Sequence, residues 1–350
     1  MNLSPNFIIT TILVNRNVTE NINSMFGEAN LNIRLACGRS SASKYLTLST
    51  PTSNIPSVCR YTIRAKSLSV CQLRVDFDIN LLPPTLPSSS NNLQYPQCMS
   101  DILQIGQFRL CGTDTRQHIY IPFNRTAGDT TKDITITIAA RGAGIAQPNW
   151  NLQVTQLECS LGSPLRSLVD GFSTAVNNIF PIPSRTWFNN EISPRTFYKD
   201  GFRIAPNGCT QYYPEATGTI SSFNYNNGNG VYPGNMRYAI CFRRNVNTQN
   251  LRLTPRSFNI GFLPNAQGIN VDNNCYPQIQ TPGRYEDFLM IPLSTLTTSN
   301  VRATYYCGDI LNNEQVTSFN PGPLSIVFNA DELYDINAPE TGFSFDYVVS

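Results

Sequence analysis

Ten cysteines share a chain of 350 residues with a single histidine, His118. They fall at Cys37, Cys59, Cys71, Cys98, Cys111, Cys159, Cys209, Cys241, Cys275 and Cys307, and the nearest two, Cys59 and Cys71, are twelve positions apart. Structural zinc sites use closely spaced C-x-x-C pairs, which are absent here, and one histidine cannot complete a Cys/His cluster. A nucleophilic thiol also needs a neighbouring base, and histidine is the usual one. An even number of widely spaced cysteines in a chain poor in charge reads instead as a set of disulfides, formed in an oxidising compartment. Each would add roughly 2–4 kcal/mol, mainly by restricting the unfolded chain.

Charged residues make up only 14% of the chain, against about 25% in an average soluble protein. The 25 Lys and Arg nearly cancel the 23 Asp and Glu, leaving a net charge of +2. That balance argues against nucleic-acid binding, which concentrates basic charge on one face. It also argues against long coiled coils and charged tails. Asn, Ser and Thr take the place of charge, beside 24 Pro and 21 Gly. These are turn formers, and the 11% aromatic content suits pleated, half-buried surfaces. Short strands with frequent turns follow, hence an all-β protein of about two domains, each able to bury a core.

Residues 1–30 read as a leader or tail. The apolar run Phe7-Ile8-Ile9-Thr10-Thr11-Ile12-Leu13-Val14 is far short of the roughly 20 residues that span a membrane. It suits a marginal signal-peptide core, a strand, an unstructured leader, or a chain that lacks its true beginning.

The chain repeats itself. Asp101-Ile102-Leu103-Gln104-Ile105 is echoed by Asp287-Phe288-Leu289-Met290-Ile291. Each follows a cysteine, Cys98 or Cys275, and precedes a Cys-Gly pair, Cys111-Gly112 or Cys307-Gly308. Upstream, Cys59-Arg60-Tyr61-Thr62-Ile63 and Cys241-Phe242-Arg243 mark expected strand starts. Downstream come the alternating segments Ile134–Ile138 and Leu324–Phe328, then closing strands at Trp150–Val154 and Phe343–Tyr347. Alternation is clearest from Cys71 to Ile79, where Leu73, Val75, Phe77 and Ile79 share one face. Gln72, Arg74, Asp76 and Asp78 share the other, which is expected to be wet.

This layout resembles the CUB domain, a jelly-roll-like β-sandwich of secreted proteins, and the whole resembles arthropod secreted proteins with two such domains in tandem. The carrying residues are the Asp-Phe-Leu-x-Ile segment between a cysteine pair ending in Cys-Gly and the closing Gly342-Phe343-Ser344-Phe345-Asp346-Tyr347. The opening Gly208-Cys209-Thr210-Gln211-Tyr212-Tyr213, with Gly218–Tyr225 after it, adds to them. The resemblance implies two CUB-type domains at 31–159 and 208–350, joined by a linker at 160–207. Within the linker Leu165, Leu168, Val169, Phe172, Val176, Ile179 and Phe180 follow helical spacing, predicting a short amphipathic helix over 164–180. Packing against a domain is its expected role, with partner binding the alternative.

The family's pairing of first with second and third with fourth cysteine would give Cys37–Cys59, Cys98–Cys111, Cys209–Cys241 and Cys275–Cys307. Cys71 and Cys159 remain, and are expected to close a fifth bridge. Many CUB domains hold calcium with an early Glu, the Asp of the Asp-x-Leu-x-Ile strand and a later Asp, hard oxygen ligands that suit this ion. Asp287 matches the middle position and Asp331 the late one, but Ser257–Phe262 offers no early Glu. In the first copy only Asp101 matches, with Asp76 or Asp78 as distant stand-ins. The plainer alternative is that these are capping or surface acids.

No enzyme signature competes. Neither Gly-x-Ser-x-Gly nor a comparable nucleophile context is present, so His118 reads as structural. The run Asn226–Gly234 lacks the Lys-Ser/Thr of a phosphate loop and reads as a long hairpin turn. Glu286 and Asp287 are adjacent, so on a strand they face opposite ways and cannot act as a glycosidase pair. The sequons at Asn2, Asn17 and Asn124 fit glycosylation in the same compartment, Asn124 being the best placed. The expected function is non-enzymatic extracellular recognition of a protein or glycan, with no nucleic acid and no membrane span. The alternatives are an accessory or regulatory subunit of an extracellular enzyme, or a structural matrix or venom-type component.

Overall fold

The structure, a computed structural model, describes residues 32–87, 95–124, 127–159, 200–261, 270–276, 287–331 and 340–350. The expected leader, the helix over 164–180, Asn2, Asn17 and Glu286 lie outside them. The described chain is almost entirely β and packs as two sandwiches.

The first sandwich has ten strands: β1 (Ile33–Leu35), β2 (Ser40–Ser41), β3 (Tyr45–Ser49), β4 (Val58–Arg64), β5 (Val70–Asn80), β6 (Ile102–Ile105), β7 (Phe108–Leu110), β8 (Thr113–Pro122), β9 (Thr131–Thr137) and β10 (Asn149–Glu158). They form two five-stranded sheets, in the orders β1-β3-β10-β5-β8 and β2-β4-β9-β6-β7. Period-two alternation explains the layering. Leu73, Val75, Phe77 and Ile79 of β5 and Leu152 and Val154 of β10 are buried from one sheet, facing Tyr61, Ile63, Ile134 and Ile136 from the other. Burying each such side chain is worth roughly 1.5–3 kcal/mol. The two largest polar side chains inside this core are paired: Trp150 Nε1 donates to the Tyr61 hydroxyl at 3.2 Å, and that hydroxyl donates to the Ser49 carbonyl.

The second sandwich has β11 (Gln211–Tyr213), β12 (Thr217–Ser221), β13 (Met236–Phe242), β14 (Leu251–Asn259), β15 (Phe288–Leu296), β16 (Arg302–Tyr306), β17 (Val316–Ser318), β18 (Leu324–Ala330) and β19 (Gly342–Val349). One continuous hydrogen-bonded path, β11-β13-β18-β15-β17-β14-β19-β12, runs through both layers. Its crossing point is β15, which pairs β18 through Phe288–Met290 and β17 through Ser294–Leu296, with β16 following it on both sides of the slip. Between these stretches the register slips and Leu293 takes a positive φ of 47°, so the strand bends from one layer into the other.

Two local expectations change. Asn226–Gly234 is not a hairpin turn, because the flanking strands do not pair: β12 joins β19, and β13 joins β11 and β18. The segment crosses from layer to layer through a 3-10 turn at Asn226–Gly228. Cys241 sits near the end of β13 rather than at a strand start. Disulfides join Cys37–Cys59, Cys71–Cys159, Cys98–Cys111, Cys209–Cys241 and Cys275–Cys307, with no free cysteine.

Candidate functional site

Asp101 and Asp287 occupy matching places, each immediately before an inner strand of its sandwich, β6 or β15. Asp101 is completely buried. Its carboxylate accepts the backbone N–H of Leu82 at 2.9 Å and of Ala139 at 3.1 Å. Both oxygens also receive the Arg141 guanidinium, Oδ1 from Nη1 at 2.9 Å and Oδ2 from Nη2. Burial pushes this carboxyl up, but Arg141 and the two N–H groups together hold it below its ordinary pKa. The chain thus supplies its own cation here. Asp76 and Asp78 do not join Asp101: Asp76 takes the Arg74 guanidinium, and Asp78 accepts the Arg116 N–H.

Asp287 is buried with different company. Oδ2 accepts the Tyr232 hydroxyl at 2.5 Å, and Oδ1 accepts the Asp331 N–H at 2.5 Å. The same hydroxyl accepts the Gly261 N–H at 3.1 Å. Gly261 has φ +45°, and a Cβ there would lie 2.8 Å from the Asp287 Cβ, so only glycine lets this loop close over the acid. Burial pushes the Asp287 carboxyl up to about 6, against the pull of Tyr232 and Asp331. The Asp331 side chain also lies within hydrogen-bonding reach of Asp287, and buried Glu340 is close enough to act on Tyr232. Asp287 and Asp331 therefore come together, as hard oxygen donors that suit a calcium ion. Among the described residues no group of three His, Cys, Asp or Glu is placed to hold a metal, so the pair is an incomplete ligand set as it stands.

The largest cluster of buried polar groups lies between the sandwiches. The edge strand β8 sends Asp114, Gln117, His118 and Tyr120 toward the second sandwich, the first three buried polar residues. Tyr120 N–H donates to the Thr210 carbonyl at 2.8 Å, bringing the β8 edge against the start of β11. His118 Nε2 accepts the Tyr212 N–H at 3.0 Å. Gln117 Nε2 donates to Ser221 Oγ at 2.8 Å while its Oε1 accepts from Gln211 Nε2 at 2.7 Å. From β5, Gln72 exchanges two bonds with the backbone of Ala205, at 2.7 and 3.0 Å. Gln72 alternates onto the wet face of β5 yet is buried, because the segment around Ala205 that leads into the second sandwich packs over that end of the sheet.

Shape reinforces polarity at this junction. The Phe77 and Phe223 rings stack 6.2 Å apart, so the buried apolar residues of both sandwiches form one contiguous cluster. Gly112 has φ +80°, and a Cβ on it would meet Asn224 Oδ1 at 2.0 Å. His118 is buried with its ring against Tyr120 and Tyr213. Burial, then the Arg74 charge, push its pKa down to about 3, so the ring is neutral and binds two strands together.

Residues 206–350 match the family model for the animal CUB domain. That segment is an animal CUB domain. Among solved structures, the chain is similar to the CUB1-EGF-CUB2 domains of rat MASP-1, at 11% identity over 91% of this chain and 100% of that one, with a TM-score of 0.25. It is similar also to the CUB1-EGF-CUB2 domain of human MASP-1/3, at 12% identity over 88% and 100%, with a TM-score of 0.26. At these scores neither bears on how the two sandwiches are arranged. No curated protein matches the chain.

The CUB domain contains β11 to β19, the Cys209–Cys241 and Cys275–Cys307 bridges, and the Asp287–Tyr232–Asp331 cluster. Neither Arg141 nor Tyr232, the partners that distinguish the two carboxylates, was singled out for that part from the sequence. An arginine 40 positions from Asp101 and a tyrosine 55 positions before Asp287 leave no local signal. Asn124, in the first sandwich, is exposed just after β8, and its Oδ1 accepts the Ala127 N–H.

Proposed function

We propose that this is a secreted, non-enzymatic protein of two CUB-type sandwiches, at 31–159 and 208–350, that recognises extracellular proteins or glycans. CUB domains are binding modules that act in extracellular protein–protein interaction, and five disulfides fit that setting. The observation that carries the reading is the junction. It joins a CUB domain to a second sandwich through buried side chains, so loops of both can contribute to one binding surface on a firm scaffold. The only histidine is consumed in that junction, which supports a role other than proton transfer.

Asp287 and Asp331 are the residues that would hold a calcium ion at the loop end of the CUB domain, with further oxygens from a ligand or from the loops beside them. Asn124 is the proposed glycan attachment site of the first sandwich. The test is proximity capture from extracellular fluid by the intact, oxidised protein, repeated with a chelator. Partners retained by the wild type and lost on Asp331→Ala support the reading. Capture equal to that of an unrelated disulfide-bonded sandwich would sink it.

A further inference from the structure

Asp114 is the junction carboxyl whose bonding does not close among the described residues. It is only 3% exposed, at the point where β8 meets the turn after β12. Oδ1 accepts the Asn224 N–H at 2.6 Å, across the junction, and Asn224 Oδ1 returns the contact by accepting the Thr113 N–H at 2.9 Å. Oδ2 is buried with no hydrogen-bond partner among the described residues. Asp101, equally buried, has two N–H donors and a guanidinium; Asp114 has one N–H and no cation. An ionised carboxylate so placed would carry a large desolvation penalty, whereas the neutral acid needs far less.

The groups facing it give no compensating charge. From β13 comes Tyr238, a buried hydroxyl that feels the Asp114 charge. The turn after β12 presents Phe223 and Asn224, both uncharged. On β5 the residue opposite is Ile79, and Asp78 beside it is exposed and bonded to the Arg116 N–H. Along β8 itself, Arg116 is exposed and His118 is engaged at Tyr212.

We propose that Asp114 is a proton-sensitive latch between the two sandwiches: as the neutral acid it seats the Phe223–Asn224 turn against β8, and its ionisation loosens that contact. The direction agrees with burial pushing this carboxyl up to about 7. A carboxyl raised in the closed state gives stability that is complete below its ordinary value near 4 and is lost as pH rises through 7. The latch is therefore tightest in mildly acidic fluid and weakens toward alkaline pH. It is independent of calcium and of what the protein recognises.

Amide hydrogen exchange in the intact protein tests this, with Asp114→Asn as the permanently neutral counterpart. Comparing the two at each pH cancels the intrinsic base catalysis of exchange. Protection of the Thr113 and Asn224 amides in the wild type, relative to D114N, should fall by about tenfold or more between pH 5 and pH 8. A ratio that stays flat over that range overturns the proposal. Should D114N not fold, the carbon resonance of the Asp114 carboxyl in the wild type decides: a midpoint near 7 supports the latch, and one near 4 refutes it.

Discussion

Asp101 and Asp287 each sit immediately before an inner strand of their own sandwich, yet their negative charges are handled in opposite ways. Asp101 is neutralised by an arginine from the loop after β9, so its oxygens are committed and its ordinary pKa is lowered. Asp287 meets a hydroxyl, a backbone N–H and a second carboxyl, and its pKa is raised. One position is finished by the chain itself; the other is left to a proton or a cation. A repeat in sequence therefore does not imply a repeat in chemistry, because a buried carboxylate is defined by what lies opposite it.

The largest effect expected is at the finished position. Arg141→Ala leaves a fully buried carboxylate uncompensated, and should destabilise the first sandwich by about 3–5 kcal/mol in denaturant unfolding. Adding Asp101→Asn should recover much of that loss; no recovery would mean that Arg141 acts by packing rather than by charge.

Next comes the junction, which separates the two sites. The buried His118 has its pKa lowered to about 3, so its contribution is complete above about 6.5 and is lost as pH falls toward 3. The stability advantage of the wild type over His118→Phe should accordingly shrink by about 2–3 kcal/mol between pH 6.5 and pH 4. A gap constant with pH would mean that the ring is not held neutral.

Tyr232→Phe probes the unfinished position. It removes the donor to Asp287 and the acceptor of the Gly261 N–H, for an expected loss of about 1–3 kcal/mol. Millimolar calcium should raise the Tm of the wild type and of Asp101→Asn, and leave Asp287→Asn unmoved. A rise that persists in Asp287→Asn would place the ion elsewhere. The smallest effect is a control: Arg256 and Asp346 form an exposed pair on the outer face of the CUB domain, and Arg256→Gln should not change Tm measurably.

Much of the fold was legible because alternation and turn chemistry are local. Leu73, Val75, Phe77 and Ile79 announce the buried face of β5, and the Asp-Phe-Leu-x-Ile segment with its Cys-Gly pair announces the CUB framework. Asp287 and Asp331 were legible as candidates through the same resemblance. What could not be read was any fact that depends on a long-range partner. Gln72 alternates correctly as an outward residue, and nothing in its neighbours says that a segment 133 positions away covers it.

The sequence by itself determined that this is an all-β chain with an animal CUB pattern in its second half, since strands, turns and cysteine spacing are written residue by residue. Only the tertiary structure decided which carboxylates meet a cation, which meet a hydroxyl, and that Asp114 meets almost nothing. A polar side chain on the outer face of a strand looks the same whether water or another sandwich lies beyond it. Its free energy does not, because the desolvation of a charge depends on every group packed around it.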